Sequence, residues 1–132
     1  NQGEAKITNL HIDKSDDLWI STTAYGIYRI DNVSDISFTQ ESPELLRYIN
    51  IEGDKNSITS NIVMTLEEDE QGQMWFGSDI GVVKYESNTD NFKRLNYQGK
   101  LFDKKIMAIR HDGDGNIWIT TINDGIYLYL KV

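Results

Sequence analysis

A repeat centred on tryptophan constrains the fold of this chain more than any other feature of its sequence. Each tryptophan lies between two large apolar residues, follows an aspartate by six positions and precedes a glycine by six or seven. Apolar residues also recur nine and twelve positions before it. The repeated residues are Trp19, Trp75 and Trp118; Asp13, Asp69 and Asp112; and Gly26, Gly81 and Gly125. Such self-similarity predicts equivalent supersecondary units, with these nine residues as their structural core.

One copy of the repeat predicts a small four-stranded antiparallel sheet. In the second copy, Asp69 can accept hydrogen bonds from nearby amides and Gly72 can supply a positive φ, which together predict a tight turn. The segment 74–76 is apolar on both faces of its strand, so both faces have to be buried. The predicted strands are 62–68, 74–76, 82–85 and 92–97, and the predicted turns are 69–73 and 88–91.

The spacing of the copies fits the blades of a β-propeller. Trp75 and Trp118 are 43 residues apart, and four-stranded blades repeat every ~40–45 residues. Trp19 and Trp75 are 56 residues apart, so the first copy holds an insertion, which we place at about Thr39 to Leu46, around Pro43. A single blade cannot bury both of its faces, and the tryptophan strand therefore predicts packing between neighbouring blades.

The predicted fold is all-β: a single partial β-propeller over residues 1–132, with about three four-stranded antiparallel blades, the last of them incomplete. The blades are expected at about 5–52, 58–99 and 103–132. Propellers usually have about four to eight blades, so we do not expect this ring to close within one chain. The expected partners are the remaining blades of a parent propeller or, by self-association, a second copy, which would bring the total to six blades.

Charge and composition exclude several classes of function. The chain has 13 basic and 21 acidic residues and a formal charge of −8, which argues against a nucleic acid partner. It has no cysteine, which excludes disulfides and thiolate metal sites. It contains no apolar run of about 18 residues and no signal peptide, so we expect no membrane contact by this segment and place any targeting sequence outside it.

The stretch 48–85 resembles a two-component regulator propeller repeat. That family has an asparagine before an apolar strand, an Asp-x-x-Gly turn, an apolar-Trp-apolar-Gly-Thr strand, and then Gly-Leu and an aromatic residue. The matching residues are Asn61-Ile62-Val63, Asp69-Glu70-Gln71-Gly72, Met74-Trp75-Phe76-Gly77-Ser78, Gly81-Val82 and Tyr85. The third copy is similar over 112–121 and 124–127 but has Lys105 in place of the asparagine, and in the first copy Asp16 replaces the turn glycine.

The resemblance implies a sensor role. Such repeats are typical of the periplasmic sensor regions of hybrid two-component systems in gut bacteria, where propellers precede a β-sandwich, a membrane helix and a histidine kinase. It therefore implies periplasmic localisation, signal transduction and the sensing of oligosaccharides. For this chain it implies a ligand-binding module without enzyme activity, the kinase being part of a parent protein.

Residue patterns that could indicate catalysis or metal binding have simpler interpretations. The segment 112–116 is acidic like a calcium loop, but Ile117 and Asn123 stand where an EF-hand loop needs glycine and glutamate. The aspartate lies six residues before each tryptophan, rather than the five of a sialidase Asp-box. His11 and His111 occupy different repeat positions and do not predict a metal pair. The sequence therefore predicts no cofactor, no metal and no catalytic residue.

Candidate ligand-binding residues are those that vary between the copies. In a propeller, the loops between second and third strands open onto the same face as the blade-to-blade connections, and sugars are recognised there by aromatic rings, amides and carboxylates. These criteria select Tyr25, Asn61, Asp79, Asn123 and Asp124. Two alternatives stay open: a scaffold propeller that mediates protein contacts or dimerisation and has no small-molecule ligand, and a propeller glycosidase or lyase.

Overall fold

The computed structural model describes residue 4 and the ranges 6–37 and 43–130, which fold into three successive antiparallel blade sheets and one two-stranded hairpin. Blade 1 contains β1 (Ile7–Ile12), β2 (Leu18–Thr22), β3 (Ile27–Ile30) and β4 (Leu46–Tyr48). Blade 2 contains β5 (Val63–Glu68), β6 (Met74–Ser78), β7 (Val82–Glu86) and β8 (Asn91–Arg94). After a hairpin of β9 (Asn96–Tyr97) and β10 (Lys100–Leu101), blade 3 contains β11 (Ile106–His111), β12 (Ile117–Thr121) and β13 (Ile126–Tyr129). This architecture confirms the predicted propeller fragment with an incomplete last blade, and the exact blade limits stay predictions.

A carboxylate fixes the turn between the first two strands of every blade. Asp69 Oδ1 accepts two backbone N–H groups of its turn at 2.9 and 3.0 Å, and Asp69 Oδ2 accepts the indole N–H of Trp75 at 2.9 Å. Asp13 and Asp112 make the same bonds, with indole distances of 2.8 and 2.9 Å. The six-residue spacing is thus the length at which one carboxylate both closes the turn and reaches the returning strand.

The turn of blade 1 keeps its conformation without glycine. Asp16 has a φ of 66°, close to the 81° of Gly72 and the 84° of Gly115 at the equivalent positions. Aspartate is one of the few residues that enter this left-handed region at moderate cost. Its carboxylate also accepts hydrogen bonds from the backbone N–H, at 3.1 Å, and from the hydroxyl of Ser34. The departure from the family pattern is therefore accommodated locally.

The first strand of each blade contains a bulge. Its pairing with the second strand shifts register after the first residue in all three blades. The bulged residues are Thr8, Met64 and Met107. A bulge redirects a side chain away from the regular alternation of the sheet, and the two methionines accordingly stay 38% and 60% exposed.

The fourth strand of blade 2 is shorter than the predicted strand at 92–97. β8 ends at Arg94, and the chain then turns back on itself as the β9–β10 hairpin. Gln98 and Gly99 have φ values of 52° and 79°, and two successive left-handed residues are what a tight two-residue hairpin turn requires. The prediction was wrong here because apolar residues continue as far as Tyr97, so the sequence pattern does not show that the strand ends at Arg94.

The insertion in blade 1 lies between its third and fourth strands. Residues 31–45 connect β3 to β4, whereas only 87–90 connect the equivalent strands of blade 2. Most of the extra length falls in this connection, which contains the part of the predicted insertion that precedes Leu46. Residues 38–42 of it lie outside the described residues.

Two apolar clusters lie between the blades. Between blades 1 and 2, Trp19 is 1% exposed and its ring lies 5.3 Å from that of Phe76. Between blades 2 and 3, Trp75 is 2% exposed and belongs to a cluster with Ile106 and Ile109 of β11. The tryptophan of each of these blades is therefore buried by the blade that follows it, as the two-faced apolar strands predict.

Two of the three repeat glycines hold the chain segment that leads to the next blade. Gly26 and Gly81 both have a φ of 79°. A Cβ at Gly26 would lie 2.2 Å from the carbonyl oxygen of Tyr48, and one at Gly81 would lie 1.9 Å from that of Phe102. Gly125 shares the left-handed conformation, with a φ of 86°, but a Cβ there would meet nothing within 4 Å.

Trp118 is an exception to the predicted core. It keeps the hydrogen bond to Asp112 but is 43% exposed. The prediction of a buried Trp118 was wrong because its repeat position fixes the indole only within its own blade. Burial comes from the next blade, and among the described residues no blade follows blade 3.

Candidate functional site at the loop end of the blades

The loops between second and third strands and the blade-to-blade connections share one end of the sheets, which we call the loop end. The backbone N–H of Gly26 donates to the carbonyl of Asn61 at 3.0 Å, and that of Gly81 donates to the carbonyl of Lys104 at 2.8 Å. These bonds join each loop to the connection that follows its blade. All five predicted ligand-binding residues therefore lie at one end of the fragment, spread over three successive blades.

Tyr25 is the aromatic residue among these five. It is 45% exposed, and its backbone N–H is fixed by the Thr22 hydroxyl at 3.0 Å. The guanidinium of Arg47 lies 5.5 Å from the ring centroid, and its Nε donates to the Tyr25 carbonyl at 3.0 Å. The Tyr25 ring is therefore fixed in position, with the Arg47 guanidinium packed against it and part of its surface open to solvent.

Asn61 stabilises the connection between blades 1 and 2, in which it lies. Its Oδ1 accepts the backbone N–H of Asn50 at 2.7 Å, and the Asn50 side chain in turn donates to the Ile58 carbonyl at 2.8 Å. Because Ile58 is only 1% exposed, these bonds anchor the chain between blades 1 and 2. Asn61 thus has a structural use that its position in the sequence does not show.

Asp79 has an unused carboxylate oxygen. Its backbone N–H donates to the Ile62 carbonyl at 3.3 Å, while Oδ1 is buried and has no hydrogen-bond partner among the described residues. A buried polar atom without a partner carries a free energy cost, so it calls for an explanation.

Asn123 and Asp124 lie on the equivalent loop of blade 3. The Thr121 hydroxyl accepts the backbone N–H of Asp124 at 2.8 Å, and Asp124 Oδ1 lies 3.7 Å from Lys104 Nζ. Both residues are exposed. This pair therefore offers an amide and a carboxylate to solvent, next to a lysine from the preceding connection.

A polar cluster that the sequence pattern does not reveal joins blades 1 and 2. Tyr48 and Tyr85 both donate their hydroxyls to Asp90 Oδ1, at 2.6 and 2.7 Å, and Arg29 donates to the Tyr85 hydroxyl at 2.6 Å. The guanidinium carbon of Arg29 also lies 5.4 Å from the ring centroid of Trp19. The cluster locks the two blades together through residues that are far apart in the chain.

The surroundings of this cluster favour protonated tyrosines and an ionised aspartate. Burial, followed by the hydrogen bond to Asp90, raises the pKa of Tyr48, and burial also raises the pKa of Tyr85. Burial opposes the charge on Asp90, but the two tyrosine hydroxyls and the nearby Arg29 outweigh it and lower the pKa of that carboxyl. At neutral pH the cluster therefore contains neutral tyrosines and a carboxylate beside a guanidinium.

Blades 2 and 3 repeat part of this arrangement. Lys84 occupies the position of Arg29 opposite the tryptophan, with its ammonium 4.9 Å from the Trp75 ring centroid, and Tyr129 packs 5.4 Å from that ring. Clefts of about 430 and 330 Å³ lie between the blades near Trp19 and Trp75, lined in part by the Asp turns. Arg29 and Lys84 lie ten and nine residues after their tryptophans. This recurring basic residue is the sequence signal that could have predicted a cation opposite the tryptophan.

The two-component regulator propeller family matches this sequence in two segments, residues 57–79 and 100–123. Each segment runs from a blade connection through the Asp turn to the tryptophan strand. Both matched segments are therefore similar to two-component regulator propeller repeats. The matched repeats include Asn61, Asp79 and Asn123, whereas Tyr25 and Asp124 lie outside them.

Solved structures share the fold of these propeller repeats. The extracellular domain of a protein described as a hybrid two-component system of B. thetaiotaomicron is 23% identical, with a TM-score of 0.72 over 96% of this chain and 17% of that one. PorZ, a surface component of the type-IX secretion system of Porphyromonas gingivalis, is 20% identical, with a TM-score of 0.71 over 93% of this chain and 19% of its own.

A curated relative is similar over part of the propeller repeats. Histidine kinase P4 of Formosa agariphila is 27% identical over 84 residues, which are 58% of this chain and 6% of the kinase. The chain thus spans less than a fifth of each of these three proteins. Within the described residues, no helix is long and apolar enough to cross a membrane, and no group of three or more histidine, aspartate or glutamate side chains is placed to hold a metal ion.

Proposed function

We propose that this chain is a ligand-binding segment of the propeller of a two-component sensor, and that its ligand is an oligosaccharide. The observation that carries the proposal is the loop end, where an exposed ring on blade 1, a carboxylate with an unused oxygen on blade 2 and an amide–carboxylate pair on blade 3 follow one another. The two-component regulator propeller repeats support the sensor context.

Each loop-end residue has a role in this proposal. The ring of Tyr25 packs against an apolar face of a sugar, since tyrosine combines an apolar body with a polar tip. The carboxylate of Asp79, which has one oxygen without a partner among the described residues, accepts a sugar hydroxyl. Asn123 and Asp124 bind further hydroxyls on the next blade, while Asn61 positions the connection beneath the ligand.

The proposed location is the periplasm. Extracellular domains of hybrid two-component systems share this fold, and a sensor propeller outside the cytoplasm meets sugars before they are imported. We assign the fragment a binding role and no catalysis, with the histidine kinase activity residing in a parent protein of which it forms a small part.

Calorimetric titration of the chain with a panel of oligosaccharides tests the proposal. Tyr25→Ala and Asp79→Asn are each expected to weaken the binding of the responding sugar by about tenfold or more, equivalent to about 1.4 kcal/mol. Tyr97→Ala is the matched control, because Tyr97 is equally open, at 50% exposed, but belongs to the β9–β10 hairpin. Binding that is equally reduced by the control, or left intact by both loop-end variants, would place the sugar elsewhere.

A protein-contact scaffold is the second candidate function. It is favoured by the open face of blade 3, where Trp118 and Ile126 are 43% and 68% exposed. If no oligosaccharide binds while the chain associates with a protein through this face, the scaffold is the correct function. Release of a shortened sugar on incubation with the purified chain would instead require a glycosidase or lyase.

A further inference from the structure

A side-chain hydroxyl fixes the loop between the second and third strands in every blade. The residue three positions after the tryptophan is Thr22, Ser78 or Thr121, and its hydroxyl donates to the carbonyl of the repeat glycine at 2.9, 3.3 and 2.8 Å. The same hydroxyl accepts the backbone N–H of the residue just before that glycine, at 3.0, 3.0 and 2.8 Å. We call this residue the pre-glycine position. Each loop therefore fixes the backbone of one particular residue at the loop end.

The pre-glycine position holds a different kind of side chain in each blade. The three residues are Tyr25, Ile80 and Asp124. Tyr25 and Asp124 lie six residues after their tryptophans, whereas Ile80 lies five after its own, because the loop of blade 2 is one residue shorter. Counting along the sequence therefore does not align Ile80 with the other two, but the shared hydrogen bond does.

The backbone of Ile80 is held on both sides. Its N–H donates to the Ser78 hydroxyl at 3.0 Å, and its carbonyl accepts the hydroxyl of Thr59 at 2.5 Å. Thr59 belongs to the connection from blade 1, so the loop is tied to a second chain segment. Isoleucine is also stiff at its first side-chain torsion, because it branches at Cβ. Ile80 thus presents an alkyl surface in a fixed place.

The exposure of Ile80 persists with a blade on each side. Blade 2 lies between blades 1 and 3, and Ile80 is still 40% exposed. A single exposed aliphatic side chain is ordinary on a protein surface. Ile80 is distinguished by its position, which is occupied in the neighbouring blades by Tyr25 and Asp124, two of the loop-end residues to which the proposed function gives a ligand contact.

We propose that Ile80 is a specificity-determining residue of the loop end, and that the sugar unit bound over blade 2 presents a methyl group to it. This inference rests on the proposed function. An alkyl surface offers no hydrogen bond, so a hydroxyl placed against it loses its water without gaining a partner. A methyl group has no such cost and gains from burying apolar surface.

A sugar unit can carry this methyl group in two ways. A deoxyhexose has a methyl group where the parent hexose has a hydroxymethyl group, and an acetylated amino sugar has one at the end of its amide. Both keep ring hydroxyls that Asp79 and Asp124 can accept. The shared chemistry is therefore a methyl group on an otherwise polar ligand.

Calorimetric titration of the whole chain with matched oligosaccharides tests the proposal and identifies the source of the methyl group. The set contains a hexose form, its deoxyhexose counterpart and its N-acetylated counterpart. One methyl-bearing form is expected to bind about 3–10-fold more tightly than the hexose form, less than the roughly 10–200-fold of an enclosed pocket, because Ile80 covers one side only. Ile80→Ser is expected to remove this preference, and Ile80→Val to keep it.

Ile122→Ser is the matched control. Ile122 is also 40% exposed at the loop end, but it lies three residues before its glycine, and its backbone N–H donates to the Lys105 carbonyl at 2.9 Å. This variant is expected to keep the preference for the methyl-bearing sugar. Thermal unfolding of each variant checks that the fold is retained.

The possible results separate this inference from the proposed function. Equal affinity for the three sugars, or a preference that survives in Ile80→Ser, would overturn the role of Ile80 while sugar binding itself stands. A preference that Ile122→Ser removes as well would show that the pre-glycine position is not what determines it. If none of the sugars in this set or in the wider panel binds, the proposed function is wrong and this inference fails with it.

Discussion

Trp75 and Trp118 have the same surroundings in the sequence and different surroundings in space. Each donates its indole N–H to an aspartate six residues earlier, at 2.9 Å in both blades. Trp75 is covered by Tyr129 of the next blade and is 2% exposed, whereas Trp118 is 43% exposed. The repeat therefore specifies where an indole sits in its own sheet, and only the neighbouring sheet determines whether it is buried.

The repeat glycines show the same division. Gly81 and Gly125 share a left-handed conformation, so both satisfy a local requirement of the loop. Only Gly81 has a carbonyl oxygen pressed against it. The residue at a repeat position thus has to suit both the conformation of its own blade and the contact with the next blade. Paired substitutions can measure the contribution of each to the free energy of unfolding.

The largest expected difference is between the two tryptophans. Trp75→Ala removes a buried side chain and is expected to lower the free energy of unfolding by about 3–5 kcal/mol. Trp118→Ala removes a half-exposed one and is expected to cost about 1–2 kcal/mol, which includes its hydrogen bond. Urea denaturation of monomeric protein measures both, and equal losses would contradict the assignment of burial to the following blade.

The glycine pair is expected to differ less. Both Gly81→Ala and Gly125→Ala place a side chain in left-handed backbone, which costs about 1–2 kcal/mol. At Gly81 the new methyl group also meets the carbonyl of Phe102, and relieving that clash should cost about 1–3 kcal/mol more. If thermal or chemical denaturation gives the same loss for both variants, the close approach at Gly81 has no energetic weight.

Alkaline pH should weaken the contact between blades 1 and 2. The pKa of Tyr48 is raised in the folded protein, first by burial and then by its hydrogen bond to Asp90. The unfolded chain therefore loses this proton first, so the free energy of unfolding falls as the pH rises above the ordinary value of 10.0. Tyr48→Phe should flatten that fall in denaturation curves measured from pH 9 upward, and an unchanged slope would count against the cluster.

The smallest expected effect concerns the exposed turn of blade 3. The indole N–H of Trp118, followed by the amides of the turn, lowers the pKa of Asp112 to about 2. Its contribution to stability is present above the ordinary value of 3.8 and is lost as the pH falls through about 2. In Trp118→Phe the carboxyl resonance followed by NMR should titrate closer to 3.8, and an unaltered midpoint would mean that the indole is not the main donor.

Much of the fold could be predicted because its signals are local. The Asp turn, the apolar strands on either side of it and the glycine loop each depend on residues fewer than ten positions apart. The turn forms even where Asp16 replaces the glycine of the repeat, since Asp16 has a φ of 66° and reproduces the conformation that glycine adopts in the other blades. The sequence also predicts the shared loop end, because alternate connections of an antiparallel sheet lie at the same end.

What escaped prediction depends on distant partners. The exposure of Trp118 follows from the neighbours of blade 3, and the tyrosine–arginine cluster joins Tyr48 to Asp90, 42 residues away. The hydrogen bond from Asn50 to Asn61 depends on the path of a whole connection, so the sequence could suggest Asn61 as a ligand residue but not reveal its structural use. The ligand-binding roles of the five loop-end residues stay predictions.

The carboxylate that ties each turn to its own tryptophan has an evolutionary consequence. All of its bonds stay within one blade, so a duplicated gene segment of one repeat would fold its turn without any change elsewhere in the protein. An added repeat would have to fit at the contact between neighbouring blades, where a cation of one blade lies against a tyrosine of the next. A repeat of this kind can therefore be added or removed without changing the bonds inside other blades. Which repeats fit side by side depends on the residues at the contacts between blades.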